Sequence, residues 1–232
     1  MPFAPGDVLS YIDMCREWGV SFQRGMYFRL KGNQSVLLMS RRRGAPYRDR
    51  VEQDGKVLIY EGHDTPKRHG IKSPKKLDQP DKNPGGTPTQ NALFAEAATS
   101  HKLSGLPAET VFVYEKIHAG IWAFNGVFLL TDTWQESDGK RKVFKFKLEL
   151  SDSPSHELTA QGGDIPHERI IPSEVKLAVW KRDKGKCVKC GASDNLHFDH
   201  DIPFSKGGTS IDAKNVQLLC ARHNLEKHDR IE

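Results

Sequence analysis

Apolar residues in the middle of the chain fall into short runs with the period of strands, and helical spacing is confined to three stretches. Residues 1–30 predict one or two helices, with Val8, Leu9, Ile12 and Trp18 on one side. From Ser35 the runs SVLLMS, KVLIYEG, TVFVYEK, GIWAFNGVFLLTDTW and KVFKFKLEL predict strands. Alternation is clearest at Val143–Leu148, where the lysines are expected on the face opposite the apolar residues. NALFAEAAT predicts a helix, and the polar Thr65–Thr89 stretch before it predicts a long functional loop. Ser151–His167 has no visible period and is rich in Ser, Pro and Gly, as linkers are. Beyond it Ser173 is placed to cap a helix through EVKLAVWKRD, with Val175, Val179 and Trp180 on one face. The expected fold class is α+β: a twisted sheet or barrel with helices over residues 1–155, a linker at 156–168, and a small unit at 169–232.

The apolar stretch Ile121–Leu130 is broken by Asn125 and Gly126 and is too short to span a bilayer. The N-terminus has neither the basic start nor the apolar run of a secretory signal. A cytoplasmic, prokaryotic-type protein with no membrane partner is the expectation. The formal net charge of +5 is unevenly spread. Between Arg29 and Lys76 stand thirteen Lys/Arg against five Asp/Glu, a local +8 that suits either a solvated face or a polyanion partner. Of four cysteines, Cys15 stands alone in apolar surroundings and reads as a small buried residue.

The other three cysteines carry chemistry. Cys187-x-x-Cys190 and Cys220-x-x-His223 are two ligand pairs, each with the spacer that lets both side chains of a tight turn reach one tetrahedral zinc. In so small a unit such an ion would supply much of the folding free energy. Between and after the pairs stand Asp199-His200, Asn215 and Asn224.

These residues resemble the HNH nuclease family over about Arg169–Arg230, through x-D-H-x-I-P-x-S-x-G-G and the closing N-x-Q-L-L-C-x-x-H-N-x-x-K. The resemblance implies two strands and a helix around one catalytic divalent ion. His200 would be the general base, Asp199 a metal ligand, Asn215 the residue that fixes the loop and orients the imidazole, and Asn224 the last metal ligand. Hard oxygen donors favour Mg²⁺ or Mn²⁺ at that site, beside structural Zn²⁺ at the knuckle. A competing alignment moves His223 from zinc to the catalytic ion. Lys227 is open between a phosphate contact and a surface lysine, and His197 between a metal or DNA contact and packing. A zinc knuckle without catalysis is also a common binding module.

The first half interleaves arginine and tyrosine at Arg41-Arg42-Arg43-Gly44-Ala45-Pro46-Tyr47-Arg48-Asp49-Arg50. From Ser35 to Leu150, SVLLMSRRRGAPYRD, KVLIYEGHD, LDQP, TQNALF, VFVYEKI, GIWAFNGVFLLTDTWQE and VFKFKLEL together are similar to the SRA (SET- and RING-associated) domain, a reader of modified cytosine. That likeness implies base flipping, with Tyr47 and Tyr60 around the extruded base and Asp49 accepting from its amino group. Arg50 stands where a second acidic residue is usual, and the spacing to Tyr60 is one residue longer. Lys67–Lys76 reads as a loop entering a groove or as a solvated basic loop. Joined, the two likenesses imply a modification-dependent restriction endonuclease acting on double-stranded DNA with modified cytosine, with a homodimer as one route to cutting both strands. The alternatives are an HNH nuclease reading unmodified sequence, and a non-catalytic zinc-stabilised DNA-binding protein.

Overall fold

The computed structural model describes residues 3–67, 73–151, 170–202, 206 and 208–227. The expected linker lies outside the described residues. Ten strands among them form one sheet in the order β10-β9-β1-β7-β6-β3-β2, while β8, β5 and β4 continue from β7. Its centre is the hairpin of β6 (Glu109–His118) and the seventeen-residue β7 (Ile121–Ser137). On the edge of β7 away from β6, β1 (Asp7–Ser10) pairs with Ile121–Ala123 and β8 (Lys142–Leu150) pairs with Phe128–Ser137. β8 in turn holds β5 (Val57–Glu61), which holds β4 (Arg50–Glu52). β3 (Ser35–Met39) runs parallel to β6 on the other side and carries the short β2 (Met26–Tyr27).

The central strands are apolar at consecutive positions because both faces are covered. Leu37 and Met39 of β3 and Val111 and Val113 of β6 face a core with Phe94 and Ala98 of α2 (Gln90–Ser104). Val36, Phe112 and Tyr114 face the other way, against Met14 and Trp18 of α1 (Tyr11–Trp18). Each fully buried Leu, Met or Phe contributes roughly 1.5–3 kcal/mol. α2 begins at Thr89, whose side chain accepts from Ala92 N–H, and stops at Gly105 in the left-handed conformation.

Four expectations need correction. Val8 and Leu9 belong to a strand, with the α1 cap at Ser10, and Ile12 is 65% exposed, so the four residues share no helix face. The two adjacent apolar residues Val8 and Leu9 suit either period over so few residues. Lys145 is 2% exposed and does not point to water, because Glu61 Oε2 lies 2.9 Å from its ammonium. Ser173 is the first helical residue of α3 (Ser173–Arg182), with Pro172 in the capping position and no side-chain cap. Cys15 is only half-buried. No helix among the described residues is long and apolar enough to cross a membrane.

The C-terminal elements join the same sheet. β9 (Leu196–His200) pairs antiparallel with β1 on one side and with β10 (Val216–Cys220) on the other, and α4 (Ala221–Lys227) follows directly. Their apolar core is Val175, Val179, Leu196, Phe198, Val216, Leu218 and Leu219, extended by Ile117 and Ala123 of the central hairpin.

Candidate nuclease centre and base cavity

The Cys187–Cys190 turn closes through Gly191 N–H to Cys187 O at 2.8 Å. The register of β10 on β9 ends at Cys220, opposite Leu196, and α4 then brings His223 back one turn later. The four ligand atoms all lie within 4.8 Å of one another. Sγ of Cys187 and of Cys220 stand 3.3 and 3.4 Å from His223 Nδ1, and the Cys190–Cys220 sulfur separation is 3.8 Å. A tetrahedron with metal–sulfur bonds of about 2.3 Å has edges of about 3.8 Å, so these separations are close to those around a single four-coordinate ion. Burial pushes the Cys187 thiol up, but backbone N–H groups at Cys220 and Cys190 and the His223 imidazole outweigh it and bring it to about 6. This geometry places His223 with the three cysteines, which favours the zinc alternative for it.

Asp199, His200 and Asn224 line one cavity of about 120 Å³, with His197, Lys176, Asn125 and the Ala4–Asp7 segment around them. The His200 imidazole is held by Ser210, whose Oγ lies 2.9 Å from Nε2. Burial keeps that imidazole below its ordinary pKa, with the Asp199 carboxylate opposing, which favours its neutral form. Burial also raises the Asp199 carboxyl, and Lys227 opposes the rise. Lys227 is neither a surface lysine nor open to a phosphate: it is 1% exposed, donates to His200 O at 2.6 Å, and stands 2.9 Å from Asp199 Oδ2. That oxygen is buried with no hydrogen bond aligned on it. The Lys227 ammonium is the partner that oxygen has, and the Asp199 carboxylate and the Asn224 carboxamide, lining one cavity, are hard oxygen donors of the kind that hold a divalent cation.

Asn215 lies apart from this cavity. Its side chain accepts from Ile202 N–H at 2.8 Å and donates to the carbonyls of Ile202 and Thr209, stapling both ends of the intervening loop. Gly208 is required there, since a Cβ would fall 1.8 Å from Ile202 O. Fixing of the loop by Asn215 therefore fits the geometry, while the imidazole is oriented by Ser210. His197 is at 2.5 Å from Asp7 Oδ1 and serves the β1–β9 pairing. Neither Ser210 nor the Lys227–Asp199 pair carried a sequence signal, because each depends on how the loop and α4 fold back on β9.

A second cavity, of about 250 Å³, is lined by Tyr47, Asp49 and Tyr60 together, with Arg42, Arg43, Lys116 and Trp122 on its walls. Tyr60 is 2% exposed, and its hydroxyl donates to Gly25 O at 3.1 Å. Gly25 permits this approach, since a Cβ would meet the phenol oxygen at 2.5 Å. Tyr47 is pinned at its hydroxyl by Asp64 N–H, and Lys75 Nζ sits 4.1 Å over its ring. Lys75, paired with Asp64 at 2.9 Å, does not line the cavity, so it backs Tyr47 from outside. Residues 68–72 of the basic Lys67–Lys76 stretch lie outside the described residues.

The Asp49 oxygens accept from Glu61 and Ser40 N–H. Burial raises the Asp49 pKa to about 7, with those two N–H groups opposing. A carboxyl raised on folding stabilises most when protonated, below its ordinary range near 4, and the contribution is lost as pH rises through 7. Unfolding by denaturant at pH 5 and pH 8 is expected to show a lower midpoint at pH 8, with a smaller drop in Asp49→Asn. An equal drop in both proteins would remove Asp49 as the cause.

Residues 187–230 match the family HNH endonuclease. No curated protein matches the chain. Among solved structures, the chain is similar to the SUVH5 SRA–hemimethylated CG DNA complex, at 22% identity and TM-score 0.44, over 66% of this chain and 92% of that one. It is also similar to the modification-dependent TagI restriction endonuclease, at 16% identity and TM-score 0.43, over 99% of this chain and 78% of that one. A third likeness, to the phosphorothioation-dependent restriction endonuclease ScoMcrA, has 17% identity and TM-score 0.44 over 99% of this chain and 60% of that one.

Proposed function

We propose that this chain is a modification-dependent DNA endonuclease, in which residues 1–155 read a modified cytosine and residues 169–232 hydrolyse the backbone. The observation that carries the reading is the single cavity shared by Asp199, His200 and Asn224 beside the four-ligand cluster, within a segment matching HNH endonucleases. Zn²⁺ would be held by Cys187, Cys190, Cys220 and His223. Asp199 and Asn224 would hold a catalytic Mg²⁺ or Mn²⁺, which when bound neutralises charge on the scissile phosphate and the departing oxygen. His200 takes the proton of the attacking water as that water's oxygen bonds to phosphorus. The bond from phosphorus to the 3′ oxygen breaks, leaving a 5′-phosphate and, with a proton from solvent, a 3′-hydroxyl. One such site cuts one strand, so a double-strand break needs two copies of the chain or successive nicks.

Support for the reader comes from Tyr47, Asp49 and Tyr60 lining one cavity under a rim of arginines. An extruded cytosine would stack on Tyr47, with Asp49 facing its amino group. Base–aromatic stacking is worth about 1–3 kcal/mol, so Tyr47→Ala is expected to weaken binding to a methylated duplex by roughly 5- to 150-fold. Anisotropy titrations of methylated and unmethylated duplexes check this, and equal weakening on both would remove Tyr47 from the pocket's function.

Cleavage of matched methylated and unmethylated duplexes tests the whole reading. Preferential cutting of the methylated duplex supports it, and equal cutting overturns the dependence on modification. Hydroxymethylated and glucosylated duplexes extend the series to larger substituents. Lys227 seated against Asp199 also suits a unit that binds DNA without cutting it. Mg²⁺-dependent strand scission by the purified chain eliminates that reading.

A further inference from the structure

Between the two cavities lies a buried cluster that neither proposed chemistry uses. Lys176 of α3 donates to Glu115 Oε2 of β6 at 2.8 Å and to Asn125 Oδ1 of β7 at 2.6 Å. Asn125 Nδ2 closes the triangle onto Glu115 at 3.2 Å and also stands 3.6 Å from Met39 Sδ. All three polar residues are at most 3% exposed. Asn125 and Lys176 line the nuclease cavity, whereas Met39 and Lys116, the neighbour of Glu115, line the base cavity. One layer of side chains therefore separates the two.

The backbone is shaped for this contact. β6 pairs Val113 with Gly126 and Tyr114 with Phe124, so Asn125 is the extra residue of a β-bulge and its side chain is re-aimed out of the regular alternation. Gly126 takes the positive φ of 111° beside it. The Asn-Gly break in an otherwise apolar strand thus has a structural use.

Burying an ammonium and a carboxylate costs several kcal/mol per ion in desolvation, and apolar residues of like volume would pack the site at least as stably. What the triangle adds is geometry. Lys176 satisfies its partners only when α3 stands in one place against β6 and β7, and α3 packs directly on β10. The β1–β9 pairing fixes the same units on their other side.

We propose that Lys176, Glu115 and Asn125 are positioning residues that hold the cutting cavity at one offset from the base cavity. Scission then falls at a single phosphodiester position relative to the recognised base. This rests on the reader–nuclease reading above.

The test uses the full chain with zinc bound and an end-labelled duplex carrying one modified cytosine. Wild type is expected to give one cut position per strand. The isosteric double variant Glu115→Gln/Lys176→Met is expected to scatter cuts over neighbouring positions and to lose about tenfold in the preference for modified over unmodified DNA, within the usual range of intersite coupling. General loss of stability lowers the amount of product but does not move the cut. Melting and zinc content establish that the variant is folded; if it is not, Glu115→Met/Lys176→Met, which replaces the buried ion pair by apolar side chains of like volume, takes its place. A folded variant with the wild-type cut position and preference overturns the inference, as does a wild type that prefers modified DNA but cuts at scattered positions. A wild type that cuts both DNAs alike overturns the reading beneath it instead.

Discussion

His200→Ala is expected to lower single-turnover strand scission by about 10²- to 10⁴-fold, the usual contribution of a positioned general base, while binding of a methylated duplex is unchanged. The size of the effect follows from how completely the side chain is prepared. Burial lowers the pKa of the imidazole, which favours the neutral form that accepts a proton. Ser210 engages Nε2, and Lys227 anchors the residue's own carbonyl. Alanine removes the acceptor and leaves the strand pairing of β9 untouched, since Val216 opposite it pairs through the backbone. Gel-resolved cleavage under enzyme excess, with anisotropy for binding, separates chemistry from recognition. Full cleavage by the alanine variant would refute the role as base. Ser210→Ala is expected to cut more slowly than wild type but faster than His200→Ala, because it loosens the imidazole without deleting it.

Stripping the ion from the knuckle is expected to unfold the C-terminal segment, and withdrawing Mg²⁺ to silence the enzyme without unfolding anything. Structural zinc contributes about 10–16 kcal/mol in small metal-dependent folds, and a whole domain is stable by only about 5–15 kcal/mol. Here the ligands tie the turn after α3 to the end of β10, which pairs with the strand carrying Asp199 and His200, and to α4, which carries Asn224. Without an ion, three sulfurs within 4.8 Å of one another and of an imidazole must share space as repelling thiolates or take up protons. Cys190→Ser should reproduce the loss, with zinc content falling and a separate low-temperature transition emerging in circular dichroism. An unchanged melting profile after verified zinc removal would show that the core around Val179, Phe198 and Leu218 holds the segment alone.

Much of the nuclease unit was legible in the chain because its ligands are near one another in sequence. Two x-x spacers state a local turn geometry, and that geometry is what the ion needs. The strands of the first half were equally plain, since short β-branched and aromatic runs such as KVLIYEG and TVFVYEK suit a sheet covered on both faces. What failed to show was burial of charge. Lys145, Lys176 and Lys227 look like ordinary surface lysines in the sequence, yet each is at most 2% exposed and faces a carboxylate. Their partners lie between 28 and 84 residues away in the chain, at Glu61, Glu115 and Asp199. No period or spacing encodes a pairing over that distance.

The sequence by itself determined the local chemistry: which residues can ligate, which run can be a strand, where a turn must bend. Those properties depend on side chains a few positions apart. Only the tertiary structure decided which strand borders which, and so that β1 joins β9 to the central hairpin and that the two cavities lie on either side of one layer of side chains. Such adjacency is set by sheet order and by one bulge at Asn125, and both emerge from packing across the whole chain.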